Sequence, residues 1–151
     1  MAKKDLHTLI RLRKWDVDEK QRALAVLLRQ EEEVIDRQAA LEAEVENEIA
    51  FTATLPADQR RSLAAYLKRC DDFRLRLADI LAEVRRQIVG AQNELAEAYR
   101  RLKTFEVTQE ARDAAVQAEE SRLEQIELNE LGLELHRRKV QPAQSDPREP
   151  A

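Results

Sequence analysis

Starting at Leu63 and stepping alternately four and three residues, the chain meets Leu67, Cys70, Arg74, Leu77, Leu81, Val84, Ile88, Ala91, Leu95, Ala98, Leu102 and Phe105. The same path continues through Gln109, Arg112, Val116, Glu119, Leu123, Ile126, Glu130 and Leu133. Of these 21 positions, 16 are apolar or Cys. Apolar residues at this spacing make the narrow seam along which two helices supercoil. A second such path runs near the N-terminus: Leu6, Ile10, Arg13, Val17, Lys20, Leu24, Leu27, Glu31, Val34, Gln38, Leu41, Val45 and Glu48. Its polar members weaken it, and polar seam residues commonly fix register and partner choice. The pattern predicts helix 1 over about 4–52, a turn at 53–56 and helix 2 over about 57–140.

The interruption is FTATLPADQRR. Pro56 is excluded from a helix interior but suits a first helical position. Asp58 then sits in the first turn of helix 2, where the dipole favours an acid. A connection this short joins antiparallel neighbours. The predicted fold is all-α: two long helices in an antiparallel coiled-coil hairpin (1–140), with helix 2 overhanging from about 107. The tail QPAQSDPREPA carries three of the four prolines and is expected to be disordered over 141–151.

Charge supports the hairpin. Residues 1–30 carry 8 basic and 4 acidic groups, 31–58 carry 1 basic and 9 acidic, and 59–86 carry 8 basic and 4 acidic. Folding at Pro56 lays the acidic end of helix 1 beside the basic start of helix 2. Exposed pairs of this kind steer pairing more than they stabilise it.

Composition narrows the functional classes. Charged residues make up 37% of the 151 and aromatics 4%, with two glycines, a long-helix composition rather than that of a globular core. The net charge of −4 disfavours nucleic acid, which wants a concentrated basic face. Cys70 stands alone, so no internal disulfide forms, and its seam position predicts a small buried hydrophobe. The opening MAKKDLHTLIRLRKW is not expected to be a signal peptide, and no run approaches the ~18 apolar residues of a membrane span.

No catalytic, cofactor or metal site is expected. His7 and His136 lack converging ligands, Gly90 and Gly132 form no phosphate loop, and Glu31-Glu32-Glu33 reads as a solvated run. Partner surfaces are the better candidates. Trp15 falls on the outer face, either as an anchor for a partner or lying flat under Arg stems. Tyr66, Phe73 and Ile80 recur every seven residues beside the helix 2 seam, and Leu28, Ile35 and Ile49 flank the helix 1 seam. These either cap the seam edges or form an exposed strip for another protein.

The segments LHTLIRLRKWDVDEKQRALAVLLRQ and YRRLKTFEVTQEARDAAVQAEESRLEQIELNELGLELHRRK resemble the two ends of the flagellar FliJ family. The resemblance covers about 4–139, and its most specific part is the run from Tyr99 to Leu131 with EESRLEQIELNEL. It implies a non-catalytic stalk of the flagellar type III export apparatus that binds and stimulates the hexameric export ATPase. It also implies contact with the membrane export gate and with late-substrate chaperones, and a cytoplasmic place at the inner membrane beneath the flagellum. By the same likeness Leu6, Ile10, Trp15, Arg112, Val116, Arg122, Leu123 and Ile126 would meet the ATPase ring. Gln38, Leu41, Val45, Ile49, Tyr66, Cys70 and Phe73 would meet the gate. Here Val45 and Ile49 stand where bulkier aromatics occur in the family. The alternatives are the equivalent stalk of a virulence injectisome, a prefoldin-like holdase and a structural coiled-coil adaptor.

Overall fold

A computed structural model describes residues 6–141, so the helix start expected near Lys4 and the tail beyond Gln141 lie outside the described residues. Among those residues the chain forms α1 (His7–Ala53), a 3-10 turn (Ala57–Ser62) and α2 (Leu63–Val140), with no strand. The fold is the all-α antiparallel hairpin. It divides into two compact units, His7–Thr104 and the pair of segments Met1–Leu6 and Phe105–Ala151.

In the unit His7–Thr104 the core is the predicted seam. Ile10, Val17, Val34 and Val45 on α1 are buried, as are Cys70, Leu77, Val84, Ile88, Ala98 and Leu102 on α2. Arg13, Lys20, Leu24, Leu27, Glu31, Gln38 and Leu41 are half-buried between them, and Glu48 is exposed. The stripe is narrow: no large side chain among the described residues is less than 2% exposed. Each seam residue therefore keeps one shoulder in water and contributes less than a globular core position would.

Among the described residues three ion pairs cross between the helices. Arg74 grips Glu42 with Nε to Oε1 and Nη2 to Oε2 (2.9 Å), and its Nη1 donates to Asp71 on its own helix. Arg85 Nε donates to Glu31 Oε1 at 2.8 Å, and Lys20 Nζ to Glu94 Oε2 at 3.1 Å. Two of the three join the acidic end of α1 to the basic start of α2, as the charge blocks require. Arg74 sits in the seam itself, where its forked guanidinium can be satisfied only in one register. Its grip, by hydrogen bond first, holds the Glu42 carboxyl below its ordinary range against the opposing effect of burial.

The tip is built differently from the expected direct entry into helix 2. Pro56 is extended (φ −57, ψ 153), and the next six residues wind as a 3-10 turn before α-geometry begins at Leu63. The last turn of α1 has no basic side chain of its own to meet its open carbonyls. Arg60 reaches back to supply one, its Nε donating to Leu55 O (2.8 Å) and its Nη2 to Ala53 O (3.1 Å). Thr54 Oγ1 donates to Phe51 O at 2.6 Å. The fold thus turns about the 3-10 segment, slightly beyond Pro56.

In the unit made by the two ends, Leu6 is buried and its backbone N–H donates to Gln109 Oε1 at 3.2 Å. This is three residues beyond the partner near 106 that a fold centred on Pro56 gives, and the longer tip accounts for the difference. Phe105, Glu106 and Gln109 are half-buried, as is Val116, and every other described residue from Glu110 to Gln141 is exposed. That stretch of α2 is helical with i,i+3 and i,i+4 pairs such as Glu119–Arg122 and Glu134–Arg138 along it.

Two substitutions calibrate the hairpin. Leu77→Ala removes a buried seam residue and should cost about 2 kcal/mol, the low end of the core range because the seam is thin, measured by urea unfolding. Gly90 has nothing within 4 Å of where a Cβ would stand, so Gly90→Ala should stabilise by roughly 0.5–1 kcal/mol in the same assay.

Candidate partner-binding surfaces

Two rules of helix geometry sort the exposed side chains. The residues just before and just after a seam position lie on opposite edges of the hairpin. In an antiparallel pair, each edge is shared by equivalent positions of the two helices. The contacts mark both edges. Gln21 Nε2 donates to Tyr99 Oη at 2.8 Å across one edge. On the other, Glu44 of α1 lines a cleft with Tyr66 and Phe73 of α2.

That cleft has a volume of about 400 Å³ and is completed by Leu41, Arg69 and Cys70. It brings together four of the seven residues assigned to the gate by resemblance: Leu41, Tyr66, Cys70 and Phe73. Phe73 is exposed with the Arg76 guanidinium 4.8 Å from its ring centre. Cys70 is a buried free thiol at the cleft floor. Burial pushes the Tyr66 phenol up to about 12, helped by its hydrogen bond to Cys70 and by the negative charges of Glu44 and Glu48. The other three are not on this surface. Gln38 is half-buried and Val45 buried in the seam, while Ile49 is exposed one heptad beyond Glu42, on the opposite edge.

The residues assigned to the ATPase ring divide between the units. In His7–Thr104, Ile10 is buried in the seam, and Trp15 is 59% exposed on the outer face with Leu12 exposed one turn before it. Among the two ends, Leu6 is buried, Val116 half-buried, and Arg112, Arg122, Leu123 and Ile126 are exposed. Arg122 is held to Glu119 by two hydrogen bonds, which raise the guanidinium pKa and lower that of the carboxyl.

Reasoning from the heptad missed a second stripe on this part of α2. Leu128, Leu131 and Leu135 are all exposed and follow one another at three and four residues. Leu128 and Leu131 line a shallow depression with Glu124 and Glu127. The stripe faces away from Leu123, Ile126 and Leu133, so this helix is apolar on two opposite sides. The signal was in the sequence, as the run IELNELGLEL, but a search for one seam passes over it.

Among the described residues no cluster of three or more His, Cys, Asp or Glu could hold a metal. No helix is long and apolar enough to cross a membrane. What the geometry offers is a helical hairpin with polar and apolar strips exposed along its surface. Residues 2–141 match the family described as flagellar FliJ protein. The chain therefore belongs to the FliJ family, whose members are non-catalytic components related to flagellar export. No curated protein and no solved structure matches the chain.

The Tyr66 environment is testable by titration. A phenol raised from 10.0 to about 12 stabilises the fold fully below pH 10 and loses that contribution as pH rises towards 12. In a Tyr99→Phe background, phenolate absorbance should therefore show its midpoint near 12, and Cys70→Ala should lower it. At the acid end, the lowered Glu42 carboxyl contributes above the ordinary value of 4.5 and loses its contribution as pH falls through its own lower value. Glu42→Gln should accordingly flatten the acid limb of a stability–pH profile.

Proposed function

We propose that this protein is the non-catalytic stalk of a flagellar export apparatus, which binds and stimulates the hexameric export ATPase. The observation that carries the reading is the stretch of α2 beyond Gln109. It is helical, exposed almost throughout, and apolar on two opposite sides. A helix with a single docking partner needs one apolar side. A helix with two suits an occupant contacted from several directions, as an axle within a ring is. Family membership supports the flagellar setting over a virulence injectisome.

In this reading Arg112, Val116, Arg122, Leu123 and Ile126 contact the ring, and Trp15 adds an outward aromatic anchor. The Leu41–Tyr66–Cys70–Phe73 cleft faces the export gate, and late-substrate chaperones are further partners. The site of action is cytoplasmic, peripheral to the inner membrane at the flagellar base. The mechanism is binding alone. An unsymmetrical charged helix contacts ring subunits unequally and biases their nucleotide cycle without itself handling ATP.

The test is co-sedimentation and ATP turnover of the cognate export ATPase with the full chain, with a chain ending after Phe105, and with Leu123→Glu/Ile126→Glu. Binding and raised turnover with the full chain only, and at least a tenfold weaker effect (about 1.4 kcal/mol) with the double variant, supports the stalk. Equal stimulation by all three proteins sinks it.

A further inference from the structure

The edge of His7–Thr104 opposite the cleft carries an apolar strip that the stalk reading does not use. It is bracketed by two of the ion pairs between the helices, Glu31–Arg85 and Glu42–Arg74. Between and beside them, α1 presents Leu28 (45% exposed) and Ile35 (42%), with Ala39 exposed one turn on. From α2 come Leu75 (67% exposed) and Val89 (56%), with Ala78 and Ala82 exposed between them. The antiparallel register set by the two ion pairs places Leu28 level with Val89, and Ile35 level with Ala78 and Ala82. Large side chains thus stand at the margins and alanines lie at the middle of the α2 side. A further helix could approach closely there, as in a three-helix bundle.

Charge says what kind of helix. The outer margin on α1 carries Glu32 and Glu46, two heptads apart with Ala39 midway, and neither is engaged in an ion pair among the described residues. The matching margin on α2 is uncharged from Leu75 through Ala82 to Val89, with Lys68 one heptad before Leu75, near the level of Glu46. At this edge of α2 the basic groups flanking the alanines are committed, Arg85 to Glu31 and Arg74 to Glu42 and Asp71. The two facing stretches, residues 31–86 taken together, carry 13 acids to 9 bases, so the wider field keeps the same sign.

We propose that this face docks an amphipathic helix of another protein, with an apolar stripe and Lys or Arg along one edge at heptad spacing. A second copy of this chain is disfavoured, because the α1 face it would bring carries the same acids. The proposal stands apart from the stalk reading, which uses the far end of α2.

The experiment uses the full chain and two synthetic helical peptides, followed by fluorescence anisotropy. Both share one Leu/Ala stripe. One has Lys along a single edge and the other has Glu there. The Lys peptide should bind and the Glu peptide should not. Ile35→Glu and Ala82→Glu should each weaken binding at least about tenfold, the loss expected for a central anchor. Glu32→Lys/Glu46→Lys should reverse the preference between peptides. Phe73→Glu and Ile80→Glu, on the opposite edge, should leave binding unchanged. All the substituted residues lie outside the buried seam, and an unaltered melting midpoint confirms the fold; the charge-reversal pair keeps the test decisive if Ala82→Glu does not fold. Equal binding of both peptides, or equal loss from Phe73→Glu, overturns the proposal. So does a concentration-dependent dimer in sedimentation that Ile35→Glu abolishes, since the face would then be a contact between copies.

Discussion

A stripe of apolar side chains one residue wide has to hold α1 against α2. Burial of a Leu or Val in such a stripe is incomplete, and nothing behind it adds a second layer. The hairpin must therefore gather its stability from many equivalent steps along its length, each worth little. This explains why alanine and cysteine are acceptable at Ala91, Ala98 and Cys70, and why polar residues recur without breaking the pairing. It also leaves alignment poorly determined, because sliding a uniform stripe by one heptad costs almost nothing. The polar interruptions supply what the stripe lacks. Arg74 satisfies its guanidinium on Glu42 and Asp71 together, and Glu31 meets Arg85, only when the helices are aligned as found.

The same thinness shapes the surface. A two-helix structure cannot hide its apolar residues, so edges and outer faces become places where chemistry is displayed rather than stored. Different faces carry different displays. One edge carries an aromatic cleft over a thiol, and the other carries aliphatics and alanines rimmed by glutamates. The distal part of α2 carries leucines on both sides. For a component related to flagellar export, this arrangement permits several partners to be held on separate surfaces without competition for one pocket.

The seam was legible because the four–three spacing is local: Leu77, Val84 and Ile88 announce it whatever lies elsewhere in the chain. The fading of the seam after Phe105 was equally visible in Arg112 and Glu119. The tip was not. Pro56 marks a break, but the six-residue 3-10 turn and the backward reach of Arg60 depend on where the carbonyls of α1 happen to end. That ending is a property of the folded backbone. The sorting of Ile49 from Tyr66 onto opposite edges was hidden for a similar reason. Spacing along one helix says which residues share a face, and only the pairing of two helices says which faces share an edge. The strip containing Leu75 and Val89 needed both helices before it could be seen at all.

The Arg60 clasp bears on the order in which the molecule assembles. Closing the turn at Pro56 requires the shortest loop anywhere in the chain, and each later pair of seam residues extends a zipper already begun. Ordering the hairpin from its ends would instead mean bringing Leu6 to Gln109 across the whole intervening chain before any contact offset the lost freedom. Loop-closure entropy thus favours starting at the tip and leaving the contact between the two ends to close last. A nascent chain cannot start this zipper until Arg60 and the first turns of α2 have been made. Until then α1 must wait with its apolar stripe uncovered.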